Sequence, residues 1–90
     1  MPQPMPAWLT KIGPTYLTDD IAIAPLGNGY FFLHTIPVAE HQVTPGWCVG
    51  QFQFPPHGLV TRQPLTVEGS ILCVTHGTHG WIREGKWVEA

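Results

Sequence analysis

The hydrophobic positions of this chain come in short runs that glycine and proline interrupt. Residues 30–36 are almost entirely aromatic or β-branched. Residues 47–54 alternate, with Cys48, Gly50, Phe52 and Phe54 on one face and Trp47, Val49, Gln51 and Gln53 on the other. Runs of about four to eight such residues between turn residues are typical of β-strands. An Asn28-Gly29 turn predicts a hairpin between 21–25 and 30–36. We predict further strands over 47–54, 58–62, 65–68 and 70–75, with 70–75 in a central position.

A second hairpin is predicted at the carboxyl end, with residues 84–85 as its two-residue turn. In that register Ile82 faces Trp87 and Trp81 faces Val88, so each face of the ribbon carries one apolar pair. A ribbon that is apolar on both faces must be covered on both sides.

The amino-terminal residues follow a different pattern, with prolines at positions 2, 4 and 6. Alternating proline favours polyproline II and excludes a regular backbone ladder. We predict an extended arm over residues 1–12 and a single all-β domain over 13–90, a small barrel or sandwich of about seven short antiparallel strands. Apolar side chains on the arm need a groove on this domain or on a neighbour. The predicted interface residues are Trp8, Leu9, Ile12, Trp81 and Val88.

Charge is scarce: only 11% of the 90 residues are Asp, Glu, Lys or Arg, and the formal net charge is −2. The four cations are too few and too scattered for a basic face, which excludes nucleic acid as a partner. Proline and glycine break both long uncharged stretches, so a membrane-spanning helix is excluded too. The first residues do not have the pattern of a secretory signal, and we expect a cytoplasmic or virion location. Low charge favours a chain that is covered by copies of itself or by other protein subunits.

Histidine is the one chemically suggestive residue type. His76 and His79 lie three residues apart in a glycine-containing turn, and His57 or a cysteine would supply a third ligand for a divalent transition metal. A structural zinc site usually shows two ligand pairs, so the alternative is that these histidines hydrogen-bond locally. Cys48 and Cys73 fit either one disulfide or two buried thiols.

No catalytic residue is predicted. Ser70 is the only serine, and it lacks the Gly-x-Ser-x-Gly context of a nucleophile elbow. The adjacent residues Asp19 and Asp20 suit a cap or turn better than an acid and base pair. Both cysteines lie in apolar strands, which suppresses thiol reactivity.

The carboxyl-terminal third resembles two kinds of β protein. Residues 66–90 form a strand, Glu68-Gly69, a strand, a turn and Gly85-Lys86-Trp87-Val88, and this order is similar to the middle of a cupin barrel. The His-x-His and downstream Glu of cupins are missing. A Gly-Trp hairpin that closes on Gly-x-Trp-Val is also similar to β modules of phage tail fibres and other virion proteins.

These features favour a non-enzymatic structural or interaction protein, without a cofactor, that self-associates or belongs to a larger assembly such as a virion. The first alternative is a small cupin-like domain, catalytic or not, that binds a transition metal through His76 and His79 with His57 or a cysteine. The second alternative is a small inhibitor that binds a host protein.

Overall fold

The computed structural model describes residues 2–37 and 45–90, and in this part of the chain it has nine strands and one short helix. They form three antiparallel sheets with the orders β1-β2-β3-β4, β5-β6 and β7-β8-β9, which confirms the predicted all-β class. None of the described helices is long and apolar enough to cross a membrane. The element bounds are α1 Ala7–Thr10, β1 Thr15–Tyr16, β2 Ile21–Leu26, β3 Gly29–Ile36, β4 Gly46–Gln53, β5 Gly58–Arg62, β6 Leu65–Glu68, β7 Ile71–Leu72, β8 His79–Arg83 and β9 Lys86–Glu89.

The first predicted hairpin is present, but its turn lies one residue earlier than expected. Leu26 pairs with Gly29, so the turn consists of Gly27 and Asn28. Gly27 takes the left-handed conformation with φ of 53°, which glycine adopts without a steric penalty. Gly29 belongs to the strand instead, where a Cβ atom would collide with the backbone carbonyl of Phe52. The second glycine is therefore needed for the close approach of β4.

The carboxyl-terminal hairpin has the predicted register: Ile82 pairs with Trp87 and Trp81 with Val88. Its turn residues 84–85 have φ values of 52° and 74°, as a two-residue hairpin turn of type I′ requires. Only one face of the ribbon is fully covered, because Ile82 and Trp87 are buried while Val88 is exposed and Trp81 half-buried.

The prediction of a central strand over residues 70–75 is wrong. Only Ile71–Leu72 is a strand, and it lies at the edge of a sheet whose central strand is β8. The chain then turns: Gly77 N donates to Cys73 O at 2.7 Å, and Cys73 N donates to Thr78 O at 2.8 Å. Gly77 has φ of 74°, and this left-handed residue lets the turn close where the apolar run predicted continued strand.

Strand β2 divides the core into two clusters because its side chains alternate between the two faces of the sheet. Ile21 and Ile23 face the larger cluster, and Ala22 and Ala24 face the smaller one. The other two sheets cover the first face. The larger cluster consists of Ile21, Ile23, Phe32, Phe52, Leu65, Val67, Ile71, Ile82 and Trp87.

The amino-terminal segment covers the second face. Leu9, on the four-residue helix α1 within the predicted extended arm, is 1% exposed and packs against Ala22, Ala24 and Leu33. Trp47 Nε1 donates a hydrogen bond of 2.9 Å to the carbonyl oxygen of Pro4. The groove that the apolar arm residues require is thus present on this domain.

Candidate metal centre

Two adjacent strands bring His34 and Cys48 together. They are direct partners in the antiparallel register of β3 and β4, so their side chains lie on the same face of the sheet. This is the face of the larger core cluster, and the Phe32 and His34 rings lie 5.9 Å apart between centroids. His34 is only 2% exposed, whereas Cys48 is half-buried.

The turn between β7 and β8 supplies Cys73 and His76. The backbone hydrogen bond from Gly77 to Cys73 folds the turn back, and it places His76 Nδ1 3.4 Å from Cys73 Sγ. Cys73 is half-buried and His76 is exposed. The turn lies against β3, since the His34 and His76 rings meet edge to face with centroids 5.1 Å apart.

The four side chains form one compact group of potential metal ligands. Each offers one nitrogen or sulfur atom, and these atoms all lie within 4.8 Å of one another. Cys48 Sγ and Cys73 Sγ are 3.9 Å apart, and neither belongs to a disulfide. In a tetrahedral zinc site two thiolates lie about 3.8 Å apart, and a thiolate and an imidazole nitrogen about 3.5 Å apart, because Zn–S is about 2.3 Å and Zn–N about 2.0–2.1 Å. The measured separations of 3.9 and 3.4 Å match these values.

The orientation of His34 leaves one ring nitrogen free to act as a ligand. Its Nδ1 lies 3.0 Å from the carbonyl oxygen of Thr35, which can only accept, so the proton is on Nδ1. The Thr78 hydroxyl lies 3.4 Å from the same nitrogen. His34 Nε2 is buried, and within residues 2–37 and 45–90 it has no hydrogen-bond partner. Metal-binding histidines are commonly oriented in this way, with the second nitrogen bonded to a carbonyl.

Cys73 influences the ionisation of the Cys48 thiol. The pKa of Cys48 is raised, first by burial, then by its hydrogen bond to Cys73 and by the charge of a Cys73 thiolate. A cation between the sulfurs would replace this repulsion with attraction and favour both thiolates.

Of the predicted metal ligands, His76 is part of this group, and His57 and His79 are not among its four members. His57 Nε2 lies 3.0 Å from the carbonyl oxygen of Ser70, and the His79 ring packs on Trp81 with centroids 5.7 Å apart. Sequence reasoning left a cysteine open as a third ligand but did not select His34. The sequence feature that could have indicated Cys73 as a ligand is its spacing from His76, with two residues between them.

The predicted interface residues do not form one uniform surface. Trp8 is 64% exposed and Val88 39%, whereas Leu9 is buried within this chain. Ile12 and Trp81 are half-buried. Arg83 lies over the Trp81 ring, 5.4 Å from its centroid.

A small pocket of about 100 Å³ adjoins the group of ligands. It lies between β4 and β7, and both Cys48 and Cys73 line it together with Phe32, Gly50, Ile71 and Leu72. The sulfur-bearing residues can therefore be approached from this side by a small molecule.

Comparison with known proteins gave no match: no protein-family model, no curated protein and no solved structure is significantly similar to this chain. The four side chains and their geometry are therefore the basis for a functional proposal.

Proposed function

We propose that this protein is a small β domain that binds one divalent transition-metal ion through His34, Cys48, Cys73 and His76. The observation that carries this proposal is that one nitrogen or sulfur atom from each of these four side chains lies within 4.8 Å of the others. In addition, His34 Nε2 is buried and has no hydrogen-bond partner among the residues that the structure describes. Buried polar atoms nearly always have a partner, and an orphaned one requires an explanation such as an ion.

The ligand set favours zinc. Two sulfur and two imidazole ligands suit Zn(II), whereas carboxylate and carbonyl oxygens would suit magnesium or calcium. Four protein ligands fill a tetrahedral shell, which is typical of a structural rather than a catalytic site. Metal binding was an alternative prediction from the sequence, with His57, His76 and His79 as the ligands, and the proposed site keeps only His76 of these three. No reaction is assigned to the protein.

The proposed role of the ion is to hold two sheets together. His34 and Cys48 belong to the four-stranded sheet, and Cys73 and His76 belong to the turn between β7 and β8 of the three-stranded sheet. No strand pairing joins these two sheets in the part of the chain that the structure describes. A 90-residue domain buries a modest share of its surface, so a metal crosslink is a substantial addition to its stability.

Metal content tests this proposal directly. We expect native mass spectrometry of the purified protein to show one zinc ion per chain. Replacement by cobalt should give the visible bands of a tetrahedral Co(II) ion and a thiolate-to-metal charge-transfer band. His76→Ala and Cys73→Ser should weaken binding by more than about 100-fold, because loss of even an outer-shell partner of a metal ligand costs about 10- to 100-fold. His79→Ala and His57→Ala serve as matched controls and should bind like the parent. A metal-free protein that takes up no cobalt, or equal losses in all four variants, would contradict the site.

A second proposed function is self-association, alone or within a larger assembly, through the free edge of β4. This strand has one neighbour, β3, in the described sheet, and its central residues 49–51 are exposed. Edge strands are usually protected by charged side chains, proline or bulges. Residues 46–53 contain neither proline nor charge, so two copies can pair antiparallel without like-charge repulsion.

Charged residues placed on this edge test the second proposal. Sedimentation equilibrium of the parent should show a dimer, and a Val49→Lys, Gln51→Lys double variant should dimerise at least about tenfold more weakly, because like charges oppose pairing. Val60→Lys is the control, since Val60 is 58% exposed but lies on β5. A parent protein that stays monomeric at its highest soluble concentration would exclude this edge as a self-association site.

A further inference from the structure

We propose that Cys48 and Cys73 form a site of reversible oxidation, at which a disulfide and a bound metal ion exclude each other. This inference rests on the proposed metal site, because it concerns how that site is emptied. It adds a covalent modification and a chemical class of regulator, a hydroperoxide, to the proposed function.

The two sulfurs are already close enough to react after a small movement. They lie 3.9 Å apart, and a disulfide bond needs about 2.05 Å. Cys48 lies on an edge strand with one neighbouring strand, and Cys73 lies at the first position of the turn after the two-residue strand β7. Closing the remaining S–S distance requires side-chain rotation and a small shift of β4, which has one neighbouring strand where β3 has two.

A small oxidant has a route to both residues. Cys48 and Cys73 are half-buried, and both line the pocket of about 100 Å³ between β4 and β7. A molecule the size of water occupies about 30 Å³ in the liquid, so hydrogen peroxide fits this pocket. Because small molecules can reach these two cysteines from solvent, they differ from fully buried structural thiols, which are inert.

The reaction balances with one molecule of hydrogen peroxide. One thiolate attacks a peroxide oxygen, the O–O bond breaks, and a sulfenic acid and hydroxide form. The second thiol attacks the sulfenic sulfur, the S–S bond forms, and water leaves. In total two thiols are oxidised, the peroxide is reduced to two molecules of water, and an external dithiol reverses the change.

Disulfide formation removes two of the four proposed ligands. His34 and His76 alone hold zinc weakly, because a stable protein site requires three or four ligands. The covalent bond still joins β4 to the turn before β8, the same elements that the ion joins. The domain therefore exchanges one crosslink for another when it is oxidised, and the ion is released without separation of the sheets.

The experiment follows the mass and the metal of the full-length protein during treatment with hydrogen peroxide. Metal-free protein should lose the mass of two hydrogen atoms, peptide mapping should link Cys48 to Cys73, and dithiothreitol should reverse both changes. Zinc-loaded protein should release one zinc ion per disulfide, measured with a zinc-sensitive dye. Bound zinc should slow the oxidation at least about tenfold, because it occupies the attacking sulfur lone pairs.

Two histidine variants separate the disulfide from the metal. His76→Ala removes a ligand but neither sulfur, so at a zinc concentration that just saturates the parent it should oxidise nearly as fast as the metal-free parent. The control His79→Ala should behave like the zinc-loaded parent. Zinc-loaded protein that forms no disulfide, or that forms it and keeps its zinc, would overturn the oxidation site alone. A disulfide in protein that binds no metal under any condition would overturn the metal centre and the exclusion, and would leave only the modification.

Discussion

Removal of the metal ion with a chelator is expected to lower the melting temperature of this domain by roughly 15 to 30 °C. A ligand at about a thousand times its Kd stabilises the folded state by about 4 kcal/mol. In domains of about 60 to 100 residues, each kcal/mol shifts the melting temperature by about 4 to 8 °C. The expected effect is large because the proposed ion would join two sheets that no strand pairing connects in the described part of the chain. Calorimetry with added zinc and with added chelator measures it.

The variants of the metal centre provide the control for this result. His76→Ala and Cys73→Ser should lose most of the difference in melting temperature between zinc and chelator, because binding weakened about 100-fold leaves about 1.4 of the about 4 kcal/mol. His79→Ala should respond to the chelator like the parent, since His79 packs on Trp81 outside the group of ligands. A parent protein whose melting is unchanged by chelator after verified zinc loading would show that the ion contributes nothing to stability.

Replacement of Trp87 by alanine is expected to cost about 3 to 5 kcal/mol, the usual range for a large aromatic side chain lost from a core. Trp87 is 9% exposed and packs against Phe32 with ring centroids 5.2 Å apart. Its ring lies directly over Gly80, where an added Cβ would fall 2.6 Å from Trp87 Cζ2. Its Nε1 donates a hydrogen bond of 2.9 Å to Glu89 Oε1, which would lose its donor. The cavity would lie where β9 and β3 meet.

Trp8→Ala is the matched control, because it deletes the same side chain from an exposed position. Trp8 is 64% exposed, and surface substitutions usually change the free energy of unfolding by no more than about 0.5 kcal/mol. Urea denaturation followed by circular dichroism measures both variants. Equal losses for Trp8→Ala and Trp87→Ala would contradict the placement of Trp87 in the core.

Local signals were sufficient to predict most strands and one complete hairpin. The Glu84-Gly85 turn determined the register of β8 and β9, because a two-residue turn leaves one pairing for each flanking residue. The prediction failed for residues 70–75, where apolar character has no periodicity that separates a strand from a turn. There Gly77 and the hydrogen bond from its backbone amide to the Cys73 carbonyl make the chain turn instead of continuing as a strand.

The candidate site was only partly predictable, for a physical reason. Its ligands meet through long-range packing: Cys48 and Cys73 are 25 residues apart, and His34 reaches Cys48 through strand pairing. Of the His-rich turn, His76 alone belongs to the group of four. His79 begins β8 and turns its ring toward Trp81, so closeness in sequence did not imply a shared site.

The separation of the four ligands also bears on the kinetics of folding. A metal ion can contact all four only after the four-stranded sheet has met the turn between β7 and β8, late in the assembly of the domain. Interactions that form after the transition state slow unfolding and leave the folding rate nearly unchanged. In this domain a bound ion would therefore lengthen the lifetime of the folded molecule. The half-life of unfolding would depend on the metal concentration, whereas the rate of folding would not.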